Sequence, residues 1–404
     1  MSHDNSREAL RADQVTIPPG HALTRLPWIG AGVGAIGLVA AFVLRSGDPK
    51  QFAFSWLFAF LFFLSLALGA LYFVLIHFAT QAGWGIVVRR LAENTMATLP
   101  LFALLFIPLL LGMGELFPWI HEIAEGKNHV LNGKAPYLNT SFFVVRAVVY
   151  FTCWSAIAMY FFRRSRGQDA TAAHSISVGL RRLSGPAVIV LALTQTFAAV
   201  DWIMSLDPYW YSTIFGVYWF AGSFVSFFAL MTLMVVRLRR AGFLTKVVGL
   251  EHFHDLGKLL FAFTVFWAYI GFSQYFLIWY GNIPEETIFF RHRLEGSWTA
   301  VSLLLAAGHF IIPFFFFMPR TIKRKPALLA LGASWMLAMH AVDLYWLIMP
   351  VLHPHGVAVT GLDVAAFVAV GGLFFGAVSW MMLGSPLVPV GDPRLPESLS
   401  FENV

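Results

Sequence analysis

Residues 53–77 read AFSWLFAFLFFLSLALGALYFVLIH and contain no aspartate, glutamate, lysine or arginine. A helix of roughly 20 apolar residues crosses the hydrocarbon core of a bilayer, so this stretch predicts a membrane-spanning helix. Nine other stretches are comparable, although Pro100 and Pro108 interrupt one of them. The ten predicted spans cover residues 28–44, 53–77, 97–117, 142–162, 185–206, 212–236, 257–280, 297–318, 327–350 and 361–383.

The composition agrees with a polytopic, all-α membrane protein. Of the 404 residues, 58% are hydrophobic and 12% are charged, whereas soluble domains carry about 25% charged residues. The net charge of +6 is spread over short loops and does not indicate a nucleic-acid partner. Cys153 is the only cysteine, which excludes an internal disulfide and a cysteine-ligated iron–sulfur cluster.

Basic residues alternate between the predicted loops. With a cytoplasmic N-terminus, the inner segments carry 19 lysine and arginine residues and the outer loops carry six. Basic loops stay on the cytoplasmic side of a membrane, so both termini are expected in the cytoplasm. The predicted organisation is a cytoplasmic segment at 1–27, a transmembrane domain at 28–383 and a cytoplasmic tail at 384–404, interpreted as a disordered or partner-binding strip.

The tripeptide Ala-Val-Asp occurs at 199–201 and 341–343, in the fifth and ninth predicted spans. Each aspartate lies roughly 22–24 Å from the cytoplasmic end of its helix at 1.5 Å per residue. Because the spans are four apart, the copies share an orientation, as in a parallel repeat. We therefore expect two four-helix bundles, spans 2–5 and 6–9, flanked by spans 1 and 10. In span 1, four glycines indicate close helix packing: Gly30, Gly32, Gly34 and Gly37.

Carboxylates inside membrane helices are costly and usually have a partner or a function. Thr194, Asp201 and Ser205 share one face of the fifth span, which predicts a polar stripe facing the bundle. Two interpretations fit Asp201: proton handling or ligand binding, and hydrogen-bonded contact between helices. Arg146 is expected to extend its side chain towards the outer surface.

The strongest candidate for chemistry is on the ninth span, where His340 and Asp343 are three residues apart and can touch. Such a pair can share or relay a proton. His309 lies near mid-membrane on the eighth span, four residues before Pro313, which cannot donate a hydrogen bond to its carbonyl. A water or quinone contact and an ordinary packing role are both open for His309.

Three further candidates lie near the membrane surfaces. Asp255 and Lys258 are three residues apart at the cytoplasmic start of the seventh span, and Glu115 lies on the outer side beside a predicted interfacial helix. They complete the candidate proton path of Asp201, His309, His340 and Asp343. Most charges at helix entrances are simply solvated, and that alternative applies to all three.

Two long segments resemble a known family. Residues 201–220 (DWIMSLDPYWYSTIFGVYWF) and 272–287 (FSQYFLIWYGNIPEET) are similar to segments of the F subunit of bacterial alternative complex III. That subunit is one of the NrfD-like, polysulfide-reductase-type membrane proteins. The resemblance covers nearly the whole chain and implies a core of two four-helix bundles.

The same resemblance implies a function in the bacterial inner membrane. The chain would be a subunit of a respiratory or photosynthetic quinol:electron-acceptor oxidoreductase, without a redox centre of its own. Partner subunits would be a sister NrfD-like membrane protein, an iron–sulfur protein and multihaem c-type cytochromes, which would hold all clusters and haems. The chain would contribute proton translocation, quinone binding near His309, His340 and Asp343, or both. A structural membrane anchor and a stand-alone secondary transporter are the alternatives.

Overall fold

A computed structural model describes residues 10–126 and 128–403, and these residues form helices, turns and loops without a β-strand. Ten helices are long and apolar enough to cross a membrane, which confirms the predicted number and makes the chain a multi-pass membrane protein. We label them α1 to α10: Ala22–Arg45, Pro49–Thr80, Ile86–Leu111, Thr140–Thr171, His174–Leu206, Phe215–Arg240, Leu250–Gly281, Trp298–Phe317, Pro326–Val351 and Gly361–Met381.

Shorter helices occupy the connections and the two terminal segments. The segment between α3 and α4 was expected to contain a helix and has three, and another lies between α7 and α8. Their bounds are Ala12–Val15, Met113–Leu116, Trp119–Glu125, His129–Lys134, Pro284–Arg293, Arg320–Lys323 and Leu395–Leu399. Two of the charged loop residues used for the predicted orientation, Arg7 and Lys127, lie outside the described residues.

The spans pack as two rings of four. Helices α2, α3, α4 and α5 contact one another in a closed ring, and α6, α7, α8 and α9 form a second ring. Helix α2 packs along α6 at the junction, where a side chain on Gly69 would collide with the backbone of Ser223. In the most apolar 18-residue stretch of each helix, 94% of the residues of α2 and 83% of those of α6 are buried. A helix that is apolar on every side belongs in the interior of the molecule, and these two form its centre.

Helices α1 and α10 pair with each other on the outside of the rings, and α10 also contacts α2. A Cβ atom on Gly30 would lie 2.6 Å from Gly376, and one on Gly37 would lie 2.5 Å from Ala369. The expected close packing of Gly30, Gly34 and Gly37 is confirmed. Gly32 faces open space, so the prediction was wrong for that residue.

The C-terminal tail is folded onto the helices, so the expectation of a disordered strip was wrong. Leu387, Val388 and Leu395 are buried, and the Leu387 amide donates to the carbonyl of Val15, 2.6 Å away. This contact places the N-terminal segment and the tail at the same end of the molecule. An even number of spans requires that arrangement, while the side of the membrane on which they lie stays a prediction.

Ion pairs hold the tail to α3. The Arg89 guanidinium contacts Glu93 at 3.0 Å and Asp392 of the tail at 2.6 Å. Arg90 pairs with Glu93 at 3.0 Å and with Asp169 at the end of α4 at 2.8 Å. Burying charged groups is costly unless each has partners. The two arginines share three carboxylates, one of which, Asp392, belongs to the tail.

At the opposite end, Arg293 caps α9. Its guanidinium donates to the carbonyls of Trp346 and Leu347, at 3.1 and 2.8 Å. These are among the last carbonyls of α9, which have no partner inside the helix, and a cation is favourable at a helix C-terminus. Burial lowers the pKa of Arg293 to about 9, so the group is still charged at neutral pH. This contact fixes the C-terminal end of the helix that carries Asp343.

Candidate functional site

Asp343 lies in the interior of the second ring, 2% exposed. One carboxylate oxygen accepts a hydrogen bond from the Tyr218 hydroxyl of α6 at 2.5 Å, and the other accepts from the Trp267 indole of α7 at 3.1 Å. Both donors are neutral, and no lysine or arginine pairs with the carboxylate among the described residues. Asp343 is therefore a buried carboxyl group held by uncharged hydrogen-bond donors.

His340 precedes Asp343 by one turn of α9 and is fully buried. Its Nε2 lies 2.8 Å from the Ser65 hydroxyl of α2. That hydroxyl donates its only proton to the carbonyl of Phe62, at 2.6 Å, so the histidine must be the donor in the first contact. The Nε2 proton leaves Nδ1 as an acceptor, and Nδ1 has no hydrogen-bond partner within the described structure.

His309 lies in a π-helical segment of α8, Leu305–Ile311. Here the Ile312 amide donates to the carbonyl of Ala307, five residues back. In this register the carbonyl of Gly308 would need the amide of residue 313, which is proline and has none. The Trp335 indole of α9 donates to it instead, at 2.7 Å. The sequence predicted that the carbonyl of His309 would lack its backbone donor. In the structure the Gly308 carbonyl, one residue earlier, lacks that donor, and a side chain donates to it.

The His309 ring stacks on Trp267, with centroids 3.7 Å apart and the planes 24° from parallel. Neither ring nitrogen of His309 has a hydrogen-bond partner in the described part of the chain. One ligand atom each from His309, His340 and Asp343 lie within 4.8 Å of one another. We call these three residues with Ser65, Tyr218 and Trp267 the Asp343 cluster.

Gly222 of α6 leaves room for this cluster. A Cβ atom there would lie 3.1 Å from Cε1 and 3.3 Å from Nδ1 of His340. Contacts in that range are tighter than packed side chains normally adopt, so a larger residue would displace the imidazole. The glycine keeps the unpartnered side of His340 open towards α6.

The arrangement suits proton exchange. Three buried imidazole nitrogens without partners lie beside a carboxyl group, and an unpaired polar atom in a low-dielectric interior is costly. Histidine can take up or release a proton through either nitrogen. The predicted closeness of His340 and Asp343 is confirmed, but no hydrogen bond joins them: His340 contacts Ser65 of α2, and Asp343 accepts from α6 and α7. Two histidines with a carboxylate are also a zinc-type ligand set, although both oxygens of Asp343 already accept hydrogen bonds.

Asp201 has a different environment in the first ring. Arg146 of α4 binds it through two hydrogen bonds, from Nε at 2.8 Å and Nη2 at 2.9 Å, and the Tyr150 hydroxyl donates to it at 2.7 Å. The expectation that Arg146 extends outward was wrong, since a guanidinium in the interior is favourable when it meets a carboxylate in this two-bond geometry. The polar stripe of α5 faces α4, with Thr194 accepting from Trp154 at 2.8 Å.

The two aspartates have a common plan. In each ring the last helix supplies the carboxylate, a tyrosine hydroxyl donates to it, and the preceding helix brings a basic side chain close. That side chain is Arg146 in the first ring and His309 in the second. The first site is a closed ion pair between Arg146 and Asp201, while the carboxyl group of the second has no charged hydrogen-bond partner and lies beside two histidines.

The remaining candidates lie elsewhere. Asp255 and Lys258 form the predicted ion pair, and Lys258 donates to Asn403 of the tail at 2.8 Å. Glu115 is exposed in the helix Met113–Leu116. None of the three contacts the Asp343 cluster.

Sequence reasoning missed Ser65, Tyr218, Trp267, Tyr150 and the role of Arg146. One signal was available for Tyr218, because it lies in the segment 201–220. That segment begins at Asp201 in the first ring and ends beside Asp343 in the second. It also contacts the second segment, residues 272–287, because the Ser212 hydroxyl donates to the Gln274 side chain at 2.9 Å.

Comparisons with known proteins do not identify the chain. No protein-family model matches it, and no characterised protein is similar to it in sequence. The functional argument therefore depends on the residues and contacts described above.

Proposed function

We propose that this chain is a membrane subunit of a bacterial quinol:electron-acceptor oxidoreductase of the alternative complex III type, and that the Asp343 cluster carries protons in it. The observation that supports this most directly is the cluster itself, a buried carboxyl group beside three unpartnered imidazole nitrogens. The ten helices, the two rings and the two segments quoted above agree with such a subunit.

The proposed division of labour follows from the chemistry of the chain. A single cysteine cannot hold an iron–sulfur cluster, so electrons would pass through an iron–sulfur subunit and multihaem c-type cytochromes. A sister NrfD-like subunit would lie beside this one in the inner membrane, with both termini of this chain in the cytoplasm. Quinone, if it binds this chain, would place its head group near His309 and His340.

In the proposed proton path, the groups of the cluster act in sequence. His340 donates through Nε2 to Ser65 and offers Nδ1 towards its neighbours, so a proton arriving at Nδ1 allows another to leave from Nε2. Asp343 then accepts or returns a proton while Tyr218 and Trp267 hold its two oxygens in place. Trp267 contacts both Asp343 and His309, so it fixes their relative position.

Asp201 has a structural role in this proposal. Arg146 binds it through two hydrogen bonds, and a proton arriving there would have to break that ion pair. The pair instead joins α4 to α5. Asp255, Lys258 and Glu115 would serve, at most, as surface groups near the ends of the path.

The test is proton release by the purified complex in proteoliposomes, driven by quinol. Replacing Asp343 with Asn should lower the protons released per electron while the complex still assembles, because Asn keeps the shape of Asp and cannot carry a proton. Glu285→Gln, at an exposed outer acid, is the matched control and should leave the yield unchanged. An unchanged yield in Asp343→Asn would remove the cluster from the path.

Co-purification tests the wider assignment. In a mild detergent the chain should bring with it iron–sulfur and multihaem cytochrome subunits. If it purifies alone with full stability, membership of the complex is wrong whatever the cluster does.

A structural anchor for the redox subunits is the second candidate, and the Asp201–Arg146 ion pair favours it because that site is closed. It predicts normal assembly and normal proton yield in Asp343→Asn. A secondary transporter is less consistent with the fold. Such proteins have broken helices at matching places in both repeats, but here the interruptions lie in α3, the second helix of its ring, and α8, the third of its ring.

A further inference from the structure

A small cavity lies at the end of the molecule where the tail is bound. It measures about 90 Å³ and is enclosed by the end of α2, the start of α3, the first turns of α5 and the tail. Five basic side chains line it, with one acid, Asp392. The basic residues are His77, Arg89, His174, Arg181 and Arg394.

The arginines around the cavity are not all neutralised. Arg89 is bound by Glu93 and Asp392, and Arg394 is bound by Glu397 at 2.6 Å. Arg181 is exposed and makes no ion pair with a described carboxylate, and the same is true of its neighbour Arg182. The excess positive charge is therefore concentrated on α5.

His77 adds a polar group to the wall of the cavity. It is 4% exposed, and its Nε2 has no hydrogen-bond partner in the described structure. A Cβ atom on Gly85 would lie 3.1 Å from this nitrogen, which the surrounding atoms already cover. A buried polar atom without a partner is costly, and a small movement of the ring towards the cavity would let a ligand oxygen relieve that cost.

A groove continues from the cavity along the outside of α2 and α5. It measures about 430 Å³ and shares Val178 and Arg181 with the cavity, and Ala79, Arg182 and Gly185 complete its lining. Further along α5, the exposed side chains are apolar and face the expected lipid: Leu183, Ile189, Val190 and Leu193. A basic end that leads into an apolar groove matches a molecule with a charged head and a hydrocarbon tail.

We propose that this cavity and groove bind a phosphate group, supplied by the head of an anionic phospholipid. The phosphate would lie in the cavity against Arg181, Arg394 and His77, and the glycerol and acyl chains would follow the groove along α5. Basic pockets at the cytoplasmic ends of membrane helices bind such head groups. Because Arg394 belongs to the tail, the bound lipid would also hold the tail in place. This proposal is independent of the proposed redox function.

Native mass spectrometry of the full chain in a mild detergent tests the proposal. The protein is titrated with an anionic phospholipid, with a zwitterionic phospholipid and with inorganic phosphate. We expect one tightly bound anionic lipid and at least tenfold weaker binding in Arg181→Gln/Arg182→Gln, since each basic residue near such a head group contributes about 1 kcal/mol. The matched control is Arg163→Gln/Arg164→Gln, at two exposed arginines near the end of α4.

A second variant approaches the site without removing an arginine. Val178→Asp places a carboxylate where cavity and groove meet and should also abolish tight binding. Both variants should make the tail easier to cut with a protease, whereas the control should not.

Each outcome decides the matter. If inorganic phosphate binds as tightly as the lipid, the site is for a free phosphate and the lipid source is wrong. If the α5 variants retain as much anionic lipid as the wild type and the control, or if the zwitterionic lipid binds equally well, the proposal fails.

Discussion

Asp201 and Asp343 share a tripeptide and a tyrosine donor, but only Asp201 meets a guanidinium. The bond to Arg146 is made at 2.8 Å by a side chain with 8% exposure, in surroundings where an isolated charge would be very costly. Asp343 receives only neutral donors. One side chain on the preceding helix, arginine or histidine, therefore separates a closed ion pair from a carboxyl group held only by neutral donors.

The ion pair should show strong coupling in a double-mutant cycle. Arg146→Gln leaves Asp201 as an uncompensated charge and should destabilise the protein by about 3–5 kcal/mol. The double variant Arg146→Gln/Asp201→Asn should be more stable than Arg146→Gln, because a pair of neutral amides can bond to each other. Melting temperatures of the detergent-purified proteins measure this, and additive losses would mean that the two residues do not act as a pair.

Tyr218 should be a positioning residue for Asp343. Tyr218→Phe removes the hydrogen bond of 2.5 Å and keeps the ring, and a bond to a charged group contributes about 1.5–3 kcal/mol. We expect proton release by the complex to slow by roughly tenfold, with normal assembly. Tyr269→Phe, an exposed tyrosine on α7, is the control. Loss of assembly in Tyr218→Phe alone would show that the tyrosine mainly supports packing.

At this scale the sequence could predict the carboxylates but not most of their partners. His340 and Asp343 are close in sequence, so helical spacing brought them together. Tyr218 and Ser65 are 125 and 275 positions from the residues they contact, and nothing in a single sequence reports such distances. Arg146 was misassigned because its position on its own helix suggested a side chain directed to the outer surface. The sequence does not show that Asp201 of the next helix faces it.

Among the helices, α8 depends on a neighbour for its shape. In its π segment, Pro313 leaves the carbonyl of Gly308 without a backbone donor. The Trp335 indole of α9 donates a hydrogen bond to that carbonyl. The segment carries His309, so the indole of Trp335 helps to determine where the imidazole points. A π segment is frequent at functional sites, and this one lies in the wall of the Asp343 cluster.

Trp335→Phe tests that dependence. It leaves the Gly308 carbonyl without its donor and should destabilise the protein by about 1–3 kcal/mol, with reduced proton release if His309 shifts. Trp380→Phe on α10, at a side chain 57% exposed, is the control for loss of an indole. Equal melting temperatures for the two variants would show that the indole bond to Gly308 contributes little.

The number and order of the spans were well predicted because ten apolar runs of adequate length leave little choice in a membrane. The third span was placed too late, since α3 begins at Ile86 and the prediction began at residue 97. The interruption of α3 was also foreseen, since Pro100 and Pro108 begin new helical segments there. The π segment was not predicted, because Pro313 shows only that one donor is missing. Which carbonyl loses its partner depends on the register of the helix, and the sequence alone does not show that the Trp335 indole of α9 donates to that carbonyl.

Across the whole molecule, α2 and α6 form a core on which the other helices pack. The two rings were predicted from a single repeated tripeptide, and the pattern of helix contacts agrees with them. The tail was misjudged because it is rich in proline and short of long apolar runs. Its ordering comes from ion pairs with α3 and from a few buried side chains, which composition does not reveal.

Removing residues 384–404 should therefore destabilise the membrane domain. The truncation uncovers the surface under Leu387 and Leu395 and takes Asp392 from Arg89, so we expect a clearly lower melting temperature and a lower yield. Asp392→Asn, which removes only the ion pair, should cost about 3 kcal/mol and fall between the truncation and the wild type. A truncated protein as stable as the full chain would show that the tail is dispensable.

The contact between Arg89 and Asp392 spans 303 positions, nearly the length of the protein. Because α3 is synthesised long before the tail, seven more membrane helices are made before Arg89 can contact its second carboxylate, Asp392. During that time Arg89 has Glu93 as its carboxylate partner, which it shares with Arg90. Release of the finished polypeptide, more than insertion of any one helix, would then mark the moment at which this part of the protein becomes stable.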